Sequence, residues 1–138
     1  MAWYDTKSTG STMTATEWNN MVTYIRRGVV TAQTSTTLTL DLNHDVIVGD
    51  TTSNVIAITL PEAADSLGKR YTVFLETDGG NDLTVACAGS DVFNSSSNTL
   101  ATFADAEDYF EIVAVSNNRW LIISENGYFG INQKMRGD

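Results

Sequence analysis

The sequence contains few of the residues from which disulfides, metal sites and many catalytic sites are built. Among 138 residues there are one cysteine and one histidine, so neither an intrachain disulfide nor a cysteine–histidine zinc site can form. Cys87 alternates with Leu83 and Val85, which predicts a small residue of a β core. No apolar run approaches the roughly 20 residues of a transmembrane helix, and no apolar signal segment is visible. We therefore expect that the chain does not associate with membranes and that it is assembled in a cytoplasm.

Charge is also scarce, and most of it has one sign. Charged residues make up 18% of the chain, against about 25% in a typical globular domain. Eight basic and 17 acidic residues give a net charge of -9, and all of the acidic excess lies after Gly28. Nucleic-acid binding depends on neutralising phosphates, so we expect no nucleic-acid partner. The simplest effect of this acidity is to keep a β-rich surface soluble.

The residues that replace the missing charges favour strands and turns. Apolar residues are 42% of the chain, enough for one packed domain at this length. Threonine favours strands, whereas serine and asparagine favour the turns between them. We predict a mainly β fold, a single antiparallel β-sandwich of jelly-roll-like type, over residues 29–125. An extended N-terminal arm and one short helix (residues 1–28) precede it, and a C-terminal tail (residues 126–138) follows.

One helix is predicted in the N-terminal segment. Thr14 and Glu17 have capping-box spacing, with Thr14 as the N-cap and Glu17 at the third helical position. An apolar face follows at helical spacing, formed by Trp18, Met21, Val22 and Ile25. A helix this short is marginal alone, so that face must pack on the β domain, on copies of itself or on another protein. Trp3 and Tyr4 in the arm either pack on the chain's own domain or dock on another protein.

Two stretches of the β domain are apolar on both faces. Residues 55–60 and the final hairpin, residues 109–124, carry more apolar side chains than one sandwich core needs. The surplus face predicts a symmetric interface between copies of the chain. Its candidate residues are Ile56, Ile58, Val113, Val115, Leu121 and Ile123.

No catalytic constellation can be recognised. The candidate carboxylates, Asp41 with Asp45 and the acids of residues 105–108, lie in or beside turns, where acidic residues are usually only solvated. His44 has no serine or cysteine in a nucleophile context. The acidic turn at 78–82 lacks the spacing of a calcium-binding EF-hand loop. We therefore predict no enzyme activity, no cofactor and no metal site.

Two sequence patterns resemble small structural proteins of tailed phages. The first is Trp3 with the run Met13-Thr-Ala-Thr-Glu-Trp-Asn-Asn-Met-Val-Thr-Tyr-Ile25, which resembles the N-terminal attachment segment of many head-fibre and tail-fibre proteins. The second is Ile58-Thr-Leu-Pro-Glu-Ala-Ala-Asp-Ser-Leu-Gly-Lys-Arg-Tyr-Thr-Val73, followed by Leu83-Thr-Val85 and Asn118-Arg-Trp-Leu-Ile122. It is similar to the β modules of such fibres, in which Leu-Pro, Gly-Lys-x-Tyr and a late tryptophan strand recur.

The resemblance implies a homotrimer, assembled in the host cytoplasm, whose N-terminal segment anchors it to the major capsid protein or another virion protein. The anchoring residues it implies are Trp3, Tyr4, Trp18, Met21, Val22 and Ile25. The sequence has no long fibre shaft, so we expect a compact capsid decoration protein, head fibre or short spike. The alternative is a tail-fibre-type module that binds a host-surface glycan, for which the loop at 91–98 offers only Phe93. The final Arg136-Gly-Asp138 resembles an integrin-binding tripeptide, but three residues match by chance too often to predict that function.

Overall fold

The structure is a computed structural model that describes residues 12, 14–19, 29–95 and 97–127. Within them, residues 15–19 are helical and a 3₁₀ turn covers Ala63–Asp65. The strands are β1 (Val30–Gln33), β2 (Thr37–Thr39), β3 (Val46–Asp50), β4 (Ile56–Thr59), β5 (Arg70–Thr77), β6 (Leu83–Ala86), β7 (Val92–Phe93), β8 (Leu100–Phe103), β9 (Tyr109–Ser116) and β10 (Arg119–Asn126). The fold is therefore mainly β, as predicted. Most of the predicted arm, and the predicted tail from residue 128, lie outside the described residues.

The strands form two sheets that share one core. The six-stranded sheet has the order β1-β3-β5-β9-β10-β7, and the four-stranded sheet has the order β2-β4-β6-β8. Through the first eight strands the chain alternates between the sheets, so each sheet receives every second strand. Buried side chains from both sheets belong to a single hydrophobic cluster. The arrangement is two-layered and sandwich-like.

The prediction that the sandwich is antiparallel is wrong. Five of the eight strand pairs are parallel, and only β5–β9, β9–β10 and β6–β8 are antiparallel. The alternation between sheets accounts for four of the five parallel pairs, because a strand that returns to its sheet after one full turn of winding runs in the same direction as its predecessor. β6 and β8 depart from this pattern, since they alternate but pair antiparallel. Apolar alternation in the sequence reports which face of a strand is buried, but it does not report the direction of the neighbouring strand.

Aromatic side chains join the two sheets at the centre of the core. The largest fully buried side chains are Trp120, Tyr71, Phe93, Phe103 and Phe110. Phe103 of the four-stranded sheet meets Phe110 of the six-stranded sheet edge to face, with ring centroids 5.0 Å apart. Aromatic pairs in this geometry add about 0.5–1.5 kcal/mol beyond the area they bury. The sheets are thus held together by specific ring contacts as well as by aliphatic packing.

The connection from β4 to β5 carries the chain from one sheet to the other. Its 3₁₀ turn is fixed by Asp91, whose Oδ2 accepts a hydrogen bond from the buried N–H of Ala63 at 2.8 Å. Gly68 then has a φ of +82°, a conformation that residues with a Cβ rarely adopt. The turn and the glycine together deliver the chain to the start of β5.

Cys87, which follows β6, packs partly buried against the core. Burial raises the pKa of its thiol to about 12, and the negative charge of Asp91 adds to the effect. The thiol is therefore protonated at neutral pH, and a protonated thiol is a poor nucleophile. The position agrees with the predicted core cysteine.

Candidate interaction surfaces

The polar residues considered as catalytic candidates hold a turn in place. Asp45 forms an ion pair with Lys69 through Oδ1, and its Oδ2 accepts a hydrogen bond from the N–H of Val29 at 2.8 Å. The hydroxyl of buried Tyr71 donates to the carbonyl of Asp41 at 2.7 Å. These contacts fasten the connection between β2 and β3 to the start of β5.

The protonation of this cluster follows from the same contacts. Burial acts to raise the pKa of Asp45, but the hydrogen bonds from Lys69 and Val29 and the positive charge of Lys69 outweigh it, so the pKa is lowered. Burial raises the pKa of Tyr71 to about 12, and the charges of Asp41 and Asp45 add to the effect. Asp45 is therefore ionised and Tyr71 neutral at pH 7. Efficient general acids and bases titrate near the working pH, and neither of these groups does.

The start of the helix has the capping geometry that the sequence predicts. The N–H of Thr14 donates to Oε1 of Glu17 at 3.2 Å, and the N–H of Glu17 donates to Oγ1 of Thr14 at 3.1 Å. The N–H of Trp18 donates to the carbonyl of Thr14 at 3.0 Å, which closes the first helical turn. Trp18 is 55% exposed. The capping box is confirmed, and Trp18, the residue that follows it, is exposed to solvent.

The other anchoring candidates, Trp3, Tyr4, Met21, Val22 and Ile25, lie outside the described residues. Their role stays a prediction. Trp18 is the one member of the set whose exposure and backbone contacts are described.

Four of the six interface candidates lie on the outward side of the final hairpin. Alternate side chains of β9 enter the core, as do Trp120 and Ile122 of β10, so the positions between them face away from it. The pairing of the two strands shifts register between Ile122 and Ser124, and Ile123 lies at that irregularity. Val115, Leu121 and Ile123 are exposed by 46%, 39% and 42%. Val113 is half-buried and pairs in register with Leu121. These four side chains form an apolar strip on the surface of the chain.

The placement of Ile56 and Ile58 at an interface needs correction. Each is 1% exposed and belongs to the hydrophobic core of its own chain. The outward positions of β4 are Ala57 and Thr59. Residues 55–60 look apolar on both faces because Val55, which is 57% exposed, lies just before the strand.

The apolar strip continues across neighbouring strands, beyond the residues predicted from the sequence. Val113 pairs with Arg70 and Tyr109 pairs with Phe74. Phe74 pairs in turn with Val48. The apolar residues at the outward positions of this sheet, here called the apolar outer face, are Val30, Ala32, Val46, Val48, Phe74, Tyr109, Val113, Val115, Leu121 and Ile123. The available signal was an apolar residue at consecutive outward positions of β1 and β3, to which β5 adds Phe74 alone.

The four-stranded sheet has a different outer face. Its inward positions are apolar, like those of the six-stranded sheet. Its outward positions, here called the threonine face, are Thr37, Thr39, Ala57, Thr59, Thr84, Ala86, Leu100 and Thr102. Hydroxyls and methyl groups of this kind are compatible with water.

No model of a known protein family matches the chain, and no curated protein matches it. Among the described residues, no group of three or more histidine, cysteine, aspartate or glutamate side chains is placed to hold a metal ion. In the same part of the chain, no helix is long and apolar enough to span a bilayer. A functional proposal therefore depends on the surfaces described above.

Proposed function

We propose that the chain is a structural protein of a tailed-virus particle, a trimeric capsid decoration protein, head fibre or short spike attached through its N-terminal segment. The observation that carries this proposal is the exposed strip of Val115, Leu121 and Ile123 beside Val113. Contiguous apolar patches on soluble proteins usually mark protein–protein contacts, so a partner copy explains a strip on an otherwise acidic chain. The fold we propose for this role is a wound, largely parallel sandwich in place of the antiparallel jelly roll.

The N-terminal segment supports attachment to a particle. The capping box fixes the first turn of the helix, and Trp18 remains mostly exposed beside it. Tryptophans that become buried when an interface forms are among the residues that contribute most to protein–protein binding. We propose that Trp18, with Trp3, Tyr4, Met21, Val22 and Ile25, docks on the major capsid protein or another virion protein.

A host-surface glycan is the second candidate ligand. Phe74 and Tyr109 lie side by side on the apolar outer face, and the hydroxyls of Tyr109 and Ser124 are 3.4 Å apart. Aromatic rings beside hydroxyl groups on the outer face of a sheet are compatible with sugar stacking. Phe93, the aromatic residue that the sequence offered for a loop site, is fully buried and cannot contact a ligand.

The test is binding of the full chain to particles of the virus from which the gene is taken. We expect the wild-type chain to cosediment with particles that lack it, and to sediment as a trimer in their absence. Trp18→Ala should reduce particle binding on the order of tenfold or more, as for a central aromatic contact, while the free chain stays trimeric. The control is Val55→Ala, because Val55 is 57% exposed but lies outside the N-terminal segment.

Three outcomes would contradict the proposal. The first is a stable monomer, and the second is equal particle binding by the Trp18→Ala chain. The third is a monomer that binds defined glycans on an array and fails to bind particles, which would support the receptor-binding module instead.

A further inference from the structure

We propose that copies of this chain associate through the whole apolar outer face, with Arg70 and Glu111 of one copy pairing with Glu111 and Arg70 of its neighbours. This inference rests on the trimer of the proposed function and names the surface and the contacts that hold it. It extends the contact surface from the final hairpin, which the sequence predicted, to strands β1, β3 and β5. In a closed trimer whose six-stranded sheets face the symmetry axis, each outer face meets the same face of both neighbours.

The apolar outer face spans five of the six strands of its sheet. Its apolar residues come from the adjacent strands β1, β3, β5, β9 and β10. Strands lie about 4.8 Å apart and rise about 3.3 Å per residue, so the face covers roughly 20 Å by 20 Å. That is about 400 Å² in projection, of which the polar side chains of Arg70, Thr72 and Glu111 occupy a part. Large apolar patches on soluble proteins are often functional, and a second sheet face of the same shape is a suitable cover for this one.

Charge does not oppose contact between copies at this face. Its outward charged residues are Asp50, Arg70, Glu76, Glu111 and Arg119. Their net charge is -1, so two copies meet there with little net repulsion although the whole chain carries -9. The threonine face has no charged outward residue. The apolar side chains, and not the net charge, therefore distinguish the apolar outer face as the contact surface.

Two charged residues of the face, Arg70 and Glu111, have no partner among the described residues. Arg70 pairs in register with Val113, and Glu111 pairs with Thr72, so the two lie on adjacent strands of one face. Within the described part of the chain, neither side chain makes an ion pair or a hydrogen bond. The contacts of a closed trimer are head-to-tail, so Arg70 of each copy can meet Glu111 of the next copy around the ring.

The test reverses each charge separately and then mixes the two variants. A full-length Arg70→Glu chain has two acids at the contact, and a Glu111→Arg chain has two arginines. Each variant alone should associate on the order of 10- to 100-fold more weakly than the wild type, because like charges meet. At each contact of a closed trimer, residue 70 of one copy meets residue 111 of the next. An equimolar mixture should form mixed trimers, because their two contacts between unlike copies again pair opposite charges. The third contact still joins like copies, so the mixture should associate more tightly than either variant alone but less tightly than the wild type. Pairing within one chain cannot produce that rescue, because neither variant chain contains both charges.

The readouts are sedimentation velocity and native mass spectrometry, with far-UV circular dichroism as the control for folding. Glu62→Arg makes the same change of charge as Glu111→Arg, but at an exposed residue outside the face, and should leave the trimer intact. Variants that associate like the wild type, or a mixture without mixed trimers, would overturn the proposed contacts. If the wild type were still a trimer that binds particles, the proposed function would stand and only this inference would fail. A monomeric wild type would contradict both this inference and the proposed function.

Discussion

The two sheets differ on their outer faces and agree on their inner ones. Both fill the shared core with apolar side chains. Outward, the four-stranded sheet presents mainly threonine, whereas the six-stranded sheet presents valine, leucine, isoleucine and two aromatic residues. Threonine and valine are both β-branched and both favour strands, so strand formation does not explain the choice between them. The difference lies in contact with water, which the threonine face tolerates better.

The largest expected effect concerns the inner faces, where the two sheets should respond alike. Ile58→Ala in the four-stranded sheet and Ile112→Ala in the six-stranded sheet each remove a fully buried side chain. Each should lower the free energy of unfolding by about 2–5 kcal/mol. Leu121→Ala, at the apolar outer face, should cost the isolated chain less than about 1 kcal/mol. Urea unfolding of the dilute chain compares the three, and an equal loss for Leu121→Ala would show that this residue belongs to the core.

The next prediction compares the two outer faces with substitutions that conserve the shape of the side chain. Val46→Thr with Val48→Thr exchanges two methyl groups of the apolar outer face for hydroxyls. A hydroxyl buried without a partner costs about 1–3 kcal/mol, so association should weaken about tenfold or more while the strands are retained.

The reverse exchange on the threonine face is the matched control. Thr59→Val with Thr84→Val should leave the trimer affinity unchanged, although it makes that face more apolar. Sedimentation over a range of concentrations measures both pairs. Equal weakening by both pairs would mean that the two outer faces do not differ in function.

A smaller effect is expected at the helix start, away from both sheets. Thr14→Ala removes the hydroxyl that accepts the N–H of Glu17. Loss of such a cap costs about 1 kcal/mol of helix stability. Amide exchange of residues 15–19 should accelerate several-fold, while urea unfolding of the β domain stays the same. Thr12→Ala is the control, and unchanged exchange in the Thr14→Ala chain would contradict the role of the capping box.

These contrasts also show what the sequence could predict. The capping box of Thr14 and Glu17 depends on residues three apart, so its geometry followed from spacing alone. The outward side of the final hairpin was also predictable, because β9 and β10 are long and apolar on both faces. The burial of Ile58 and the outward position of Phe74 were not predictable, because each depends on which sheet the strand joins. Which sheet a strand joins is decided by the turns between strands, such as the one that ends at Gly68, and strand periodicity does not report it.

The smallest expected effect is a pH dependence at the end of the six-stranded sheet where Asp45 meets Lys69. The pKa of Asp45 is lowered in the folded chain from its ordinary value of 3.8. The contribution of Asp45 to stability is therefore complete above about pH 5 and is lost as the pH falls through the folded-state pKa. An ion pair that is partly exposed is worth less than about 1 kcal/mol, so Asp45→Asn should flatten the acid side of the stability profile only slightly. Asp65→Asn changes the net charge equally at an exposed turn and serves as the control. Urea midpoints between pH 3 and pH 7 measure the difference, and an identical slope in both variants would show that the Lys69 contact adds nothing to stability.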